Sequence, residues 1–248
     1  TIFKMNYFDP KHIFKVNDKF KVKTVLVEGV KFLIIDNFYK YPDLIRDLIL
    51  TSPAPMWKNQ EETHNFKEYY DCRHTMSFFD TPEYVEVFSK LAEYYYDCKA
   101  YHDIDTSFTT NCFQWIEDEP PLGVVGNKAH ADGLDYVAFN IFFNTNNEIH
   151  GGTSIYRSKI TDSFILDPEN LFTSTHEELN EDGMSYYDPN WQDHWTIEHI
   201  LEMSYNRCVV YPGYVFHGAY HTGNNFIDNP RITQTYFLKL MQDLEIKI

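Results

Sequence analysis

Cationic residues are scarce in this chain. Lys and Arg number 21 against 37 Asp and Glu, a formal net charge of −16 at pH 7. Proteins hold a phosphate backbone through a basic face, so this balance argues against DNA or RNA as partner or substrate. The cysteines, Cys72, Cys98, Cys112 and Cys208, are scattered and form no Cys-x-x-Cys pair. They are expected to be free thiols in a reducing compartment, some of them small core residues. No apolar run is long enough to span a bilayer. Residues 1–20 mix Lys and Asp among their apolar side chains and have no signal-peptide core. A soluble, cytoplasmic chain without a membrane partner is expected. Internal repeats and long Gly/Ser or Pro linkers are also lacking, which predicts one domain over residues 1–248.

Aromatic residues are abundant, with 19 Tyr and 20 Phe, a composition that favours strands. Residues 22–27 and 31–35 read as two strands joined at Glu28-Gly29. Pro42 opens a helix with Leu44, Ile45, Leu48 and Ile49 on one face. Thr81-Pro82-Glu83 starts a second helix, running to about Cys98, with Tyr84, Val85, Phe88, Leu91, Ala92 and Tyr95 as its apolar stripe. From residue 107 the pattern turns to β. Strands are expected at 108–116, 135–144, 152–156 and 207–211. The last of these breaks at Pro212-Gly213 and resumes over 215–219, and a long strand follows at 231–240. Helices first and then strands with short turns predict a mainly β fold with flanking helices. Residues 1–106 would support a jelly-roll β-sandwich over 107–240. An acidic, aromatic insert at 158–206 interrupts that core. Long loops in compact domains are often lids, and this one, with Trp191 and Trp195, is expected to close over a substrate.

The chemistry centres on His130 and Asp132. Two residues apart in extended backbone, they point to one side of the chain and can reach one metal ion. A second histidine would complete the two-His-one-carboxylate triad of non-heme Fe(II) oxygenases, which leaves coordination positions open. Another match to the short pattern, His176-Glu177-Glu178, lies in a polar stretch without strand character and reads as a solvated loop. For the second histidine, His217 stands at the end of an apolar strand bent by Pro212-Gly213. His221 is its nearby competitor. Further on, Arg231, Thr233 and Thr235 share one strand face. An arginine in such a strand calls for an anion, and its planar fork suits a carboxylate, with a neighbouring hydroxyl adding a further hydrogen bond. A surface salt bridge is the plainer alternative for Arg231.

His130-x-Asp132, then His217, then Arg231-x-Thr233 fourteen residues on (231 − 217) resembles the Fe(II)/2-oxoglutarate-dependent dioxygenase superfamily. Residues 35–39, Ile-Asp-Asn-Phe-Tyr, with Tyr41-Pro42-Asp43 and the amphipathic helix, resemble the start of its prolyl 4-hydroxylase-like members found in bacteria and their viruses. The resemblance implies a double-stranded β-helix (cupin-like), with Fe(II) on His130, Asp132 and His217. It also implies 2-oxoglutarate on Arg231 and Thr233, with Asn140 as a further contact or merely a structural amide, and O2 as co-reactant. Thr233 stands where Ser is commoner and keeps the hydroxyl. Asp132 is the carboxylate that halogenating relatives lack, so hydroxylation is implied. The substrate would be a peptidyl proline, an amino acid or another small molecule. The rival expectations are a silent jelly-roll binding or structural protein, and a cupin-like metalloenzyme that does not use 2-oxoglutarate.

Overall fold

Glu28 and Gly29 both adopt positive φ, 46° and 85°, as the two central residues of a type I′ hairpin turn must. They join β1 (Lys21–Val27) to β2 (Val30–Asp36), paired in register from Lys21↔Asp36 to Val27↔Val30. The computed structural model describes residues 10–51, 57–59, 72–75, 84–96, 104–105, 111–116, 129–145, 151–166, 191–221 and 230–240. After a single turn, α1 (Pro10–Ile13), and the hairpin comes α2 (Pro42–Thr51). Proline takes its first position and Asp43 stands in its positive first turn, which favours the helix start. Its buried face is Ile45 and Ile49. Helix α3 (Tyr84–Tyr96) buries Val87, Phe88, Leu91 and Ala92, the spacing of one helical face. The proposed cap at Thr81 falls outside the described residues.

The remaining strands are β3 (Trp57–Asn59), β4 (Cys72–Thr75), β5 (Ile104–Asp105), β6 (Asn111–Ile116), β7 (Tyr136–Phe142), β8 (Gly151–Ser158), β9 (Trp195–Glu202), β10 (Arg207–Pro212), β11 (His217–His221) and β12 (Arg231–Leu240). A 9-stranded antiparallel sheet runs β1-β2-β10-β7-β12-β6-β4-β3, with β5 beside β12, and a 3-stranded sheet runs β11-β8-β9. An isolated antiparallel bridge, His130↔His217, adds the segment around His130 to the small sheet. From β6 onward the chain goes large sheet, small (His130), large (β7), small (β8, β9), large (β10), small (β11), large (β12). That winding is a double-stranded β-helix, the jelly roll expected from the sequence.

Alternation along the strands divides the core into two layers. Val137, Phe139, Ile141, Cys208, Val210, Ile232, Tyr236 and Leu238 pack outward against α2 and α3. Ala138, Phe142, Val209 and Tyr211 face inward and meet Ile155 and Leu201 of the small sheet. Cys208 is a free, fully buried thiol, and burial pushes its pKa up. No helix among the described residues is long and apolar enough to cross a membrane.

Two expectations need correction. The strand at 207–219 does not resume after Pro212-Gly213. It ends in the large sheet, and β11 begins in the small one. Proline ends the ladder and Gly213 permits the corner, where an added Cβ would meet the Tyr136 Cβ at 2.8 Å. The stretch at 158–206 is also not irregular throughout, because β9 occupies Trp195–Glu202 and pairs with β8. Its burial does not alternate cleanly, and a register irregularity between Ile155 and Tyr156 interrupts the pairing, so a strict period of two was not there to find. Trp195 is buried against Tyr156 and Phe216, not poised over a cleft. The lid expectation for the rest of the insert falls on 167–190, outside the described residues, as does His176.

Gly152 shows how closely the small sheet is packed. A Cβ there would lie 2.1 Å from the Leu201 carbonyl oxygen, and its φ is +152°. Gly152→Ala must displace β9 as well as strain its own backbone, which alone costs about 1–3 kcal/mol. A lowered thermal midpoint in the purified variant is the expected result.

Candidate metal centre

His130 and His217 are opposed residues that exchange both backbone hydrogen bonds, His130 N–H to His217 O at 3.0 Å and His217 N–H to His130 O at 2.8 Å. The pairing sets both side chains on one face, and their ring centroids are 4.4 Å apart. Asp132 joins them because its backbone N–H donates to Gly213 O at 2.7 Å, while Gly213 N–H donates to Tyr136 O at 2.7 Å. The Pro-Gly corner therefore positions the carboxylate as well as turning the chain. Asp132 Oδ1 lies 3.9 Å from His130 Nε2, and Oδ2 lies 3.5 Å from His217 Nε2. One ligand atom from each of the three residues falls within 4.8 Å of the others. Among the described residues this is the one such cluster of His, Cys, Asp and Glu.

The protonation of His217 follows from its surroundings. Its Nδ1 is 3.0 Å from the Val215 carbonyl oxygen. A carbonyl only accepts, so Nδ1 carries the proton and the neutral ring presents a lone pair at Nε2. Burial pushes the pKa down to about 4 despite the opposing pull of Asp132, so the neutral form prevails at pH 7. Facing it, Asp132 Oδ2 is buried without a hydrogen-bond partner. Two lone-pair atoms thus confront each other with no proton between them, an arrangement that a cation resolves. The donor set, two imidazole nitrogens and a carboxylate, suits a first-row divalent metal.

A pH dependence follows for the metal-free protein. The folded-state pKa of His217, about 4, lies below the unfolded value of about 6.5. Between these values the unfolded chain binds the extra proton, so stability rises with pH. The contribution is present above about pH 6.5 and is expected to drain away toward pH 4. Thermal midpoints of chelator-treated protein across that range test this.

Arg231 begins β12 and is 2% exposed. Its Nη2 donates to Gly152 O at 3.2 Å, and its guanidinium lies 5.5 Å from the Phe142 ring centroid. It is an interior cation, not a surface salt bridge. Thr233, on the same strand face, has a buried hydroxyl without a hydrogen-bond partner. Asn140 Nδ2 donates to Thr153 Oγ1 at 3.1 Å and to the Tyr211 hydroxyl at 2.9 Å. The ring of Tyr211 packs against His217 with centroids 4.7 Å apart. Burial first, and Asp132 second, push the Tyr211 hydroxyl well above its usual pKa.

Of the six residues singled out in the sequence, His217, Arg231 and Thr233 are buried, Asp132 and Asn140 are partly buried, and the His130 side chain is 37% exposed. Tyr211 and Thr153 were missed. The available signal was the alternation in β10, which puts Tyr211 on the inward face with Val209. His221 is the last residue of β11, paired with Gly151, whereas His217 pairs with Ile155. Four residues of strand put its backbone roughly 13 Å from that of His217.

Fold and site together define a double-stranded β-helix protein with two imidazoles and a carboxylate converging between its sheets. The chain belongs to the sequence family described as "Family of unknown function (DUF6445)", which matches residues 17–233. No curated protein sequence matches it. Among solved structures it is similar to the non-heme alpha ketoglutarate dependent epimerase SnoN from nogalamycin biosynthesis, with 11% identity and a TM-score of 0.48 over 84% of this chain and 78% of that one. HygX from Streptomyces hygroscopicus, solved with nickel and 2-oxoglutarate bound, shares 9% identity at a TM-score of 0.45 over 87% and 88% of the two chains. EvdO2 from Micromonospora carbonacea var. aurantiaca, complexed with 2-oxoglutarate, shares 10% at 0.40 over 89% and 94%. Likenesses this distant transfer no residue role.

Proposed function

We propose that this chain is an Fe(II)- and 2-oxoglutarate-dependent dioxygenase that hydroxylates a peptide or small-molecule substrate. The observation that carries the reading is the pair of facing lone-pair atoms, His217 Nε2 and Asp132 Oδ2, with His130 alongside. His130, Asp132 and His217 would hold the iron. When bound, iron supplies activation of O2 coupled to decarboxylation of 2-oxoglutarate to succinate and CO2, and so oxidation of a substrate C–H bond. The protein's part is binding, orientation and exclusion of side reactions. The Val215 carbonyl keeps the His217 proton on Nδ1. Arg231 and Thr233 supply donors for the distal carboxylate of the co-substrate, with Asn140 as a further candidate contact. On β8, the residue paired with His217 (Ile155) and the residue whose carbonyl holds Arg231 (Gly152) are three positions apart (155 − 152). That is roughly 10 Å of strand, a span a five-carbon dicarboxylate can bridge between metal and guanidinium. The prolyl 4-hydroxylase-like assignment rests on the resemblance of residues 35–43 alone, and peptidyl proline is one substrate to test among amino acids and other small molecules.

The test is anaerobic titration with Fe(II), then with 2-oxoglutarate, followed by measurement of succinate on admitting air. One Fe(II) per chain and slow succinate formation are expected. Metal binding without 2-oxoglutarate binding would favour the cupin-like rival, and binding of neither would favour a silent jelly-roll protein. His221→Ala should bind Fe(II) as the unaltered chain does.

A further inference from the structure

Strand β1 pairs with β2 alone among the described strands, which leaves its other edge free. It is seven residues long, regular and without proline, the kind of edge that templates pairing with another chain. Val27 and Val30 flank the two-residue turn and exchange hydrogen bonds. The alternation of an antiparallel pair then sends the N–H and C=O of Val22, Thr24 and Leu26 to the free edge. Opposed residues share a face, so these three, opposite Ile35, Leu33 and Lys31, lie on the helix side of the sheet. Val22 is 37% and Leu26 67% exposed. Tyr94, near the end of α3 and edge-on against Phe20, borders them. On the other face Val25 and Val27 pack partly against the inner core, while Lys21 and Lys23 are exposed.

We propose that this edge pairs with the same edge of a second copy, antiparallel about a two-fold axis through Thr24, and that the chain is a dimer in solution. The strand's own pattern, Lys-Val-Lys-Thr-Val-Leu-Val, carries the choice of partner. About that axis Thr24 faces its own copy, and Val22 of each copy faces Leu26 of the other. Lys23 faces Val25 and Lys21 faces Val27. All of β1 is paired, the exposed apolar side chains cover each other twice, and no like charges are opposed. Moving the axis to Val22 sets Lys21 against Lys23, and moving it to Lys23 sets that lysine against itself, each of them destabilising. Edge lysines guard against indiscriminate pairing; here they leave one full register open, and a contact of this symmetry closes at two copies. Charge favours the same edge. The chain carries −16 overall, so two copies repel over most of their surface. Residues 19–27 hold Lys19, Lys21 and Lys23 and no acidic residue. Antiparallel pairing lays this lysine end beside the other copy's hairpin turn, where Glu28 is 61% exposed. The proposal is independent of the metal reading, since neither β1 nor β2 carries a candidate ligand.

The experiment is sedimentation of the purified chain at rising concentration, with substitutions at positions exposed enough to spare the fold. The unaltered chain should pass from monomer to dimer and not beyond. A contact of one strand pair is small, so the dimer should be reversible. Leu26→Lys changes the contact at two symmetric places and should weaken dimerisation by at least about tenfold. Thr24→Cys tests the axis. A hydrogen-bonded antiparallel pair has Cα atoms about 5.5 Å apart, within the roughly 4.4–6.8 Å that a disulfide spans, so mild oxidation should link the two copies. Val22→Cys is the control, because its two copies would stand roughly 13 Å apart along the pair. Linked dimer from Thr24→Cys above the background of the native cysteines, and little from Val22→Cys, is the expected result. A chain that stays monomeric at every concentration, leaving the edge to a foreign strand or to none, would overturn the proposal. So would a dimer that Leu26→Lys leaves intact, or one that Val22→Cys links as readily as Thr24→Cys.

Discussion

Asp132→Ala is expected to abolish tight Fe(II) binding without harming the metal-free fold. Asp132 supplies the only carboxylate of the cluster, and its Oδ2 sits 3.5 Å from His217 Nε2 without a hydrogen bond of its own. Loss even of groups that merely orient metal ligands costs about 10–100-fold in affinity, so losing a ligand should exceed about 100-fold. In the metal-free protein the same carboxylate is a liability, because a buried acceptor without a partner costs about 1–3 kcal/mol. Removing it should leave the thermal midpoint of chelator-treated protein unchanged or raised. Saturating metal stabilises a protein in proportion to RT ln(1 + [L]/Kd), so the unaltered chain should gain stability on adding Fe(II) and the variant should not. Paired melting curves with and without metal give both quantities. A variant that still gains stability from Fe(II) as the unaltered chain does would remove Asp132 from the ligand set.

The second large effect is expected at Arg231. Methionine is the informative substitution, since it keeps much of the buried stem in place. Arg231 is 2% exposed and lies over Phe142. Replacing a buried charge by an apolar side chain of similar volume is often neutral or stabilising for the fold. Its expected loss is in ligand binding. Truncating one partner of a buried, hydrogen-bonded charge pair costs about 2–5 kcal/mol, so Arg231→Met should weaken 2-oxoglutarate binding by at least about 30-fold. Fe(II) affinity should stay as it is, because β12 is not an element that carries the three candidate ligands. Calorimetry with an inert divalent metal in place of iron separates the two bindings. Equal 2-oxoglutarate affinity in variant and unaltered chain would rule out Arg231 as the anchor.

Much of the architecture was legible because it is local. The Glu28-Gly29 turn, the proline start of α2 and the Phe88, Leu91 and Ala92 part of the α3 stripe depend on neighbours within a few residues, although Val87, also buried there, was not expected. The His130/Asp132 pair is local too, since positions two apart in extended chain share a side whatever lies across from them. Arg231 and Thr233 share a face for the same reason.

What the sequence determined by itself was therefore the opening hairpin, most strands of the jelly-roll core, the candidate ligand pair and the face of β12 that carries a cation. The tertiary structure decided which distant groups meet them. His217 and His221 stand on the same strand and both follow apolar residues. Only the register of β11, with His217 opposite His130 and Ile155, separates them. The Pro212-Gly213 corner, read as a break in one strand, carries the chain from one sheet to the other and holds Asp132 through the Gly213 carbonyl. Tyr211 looked like one more aromatic in an apolar strand until the pairing of β10 with β7 brought its hydroxyl to Asn140. The physical reason is common to all three. A strand's own side-chain pattern sets which face is buried, but its register against partners far along the chain is set by packing between sheets, and a shift of one residue would turn every inward group outward.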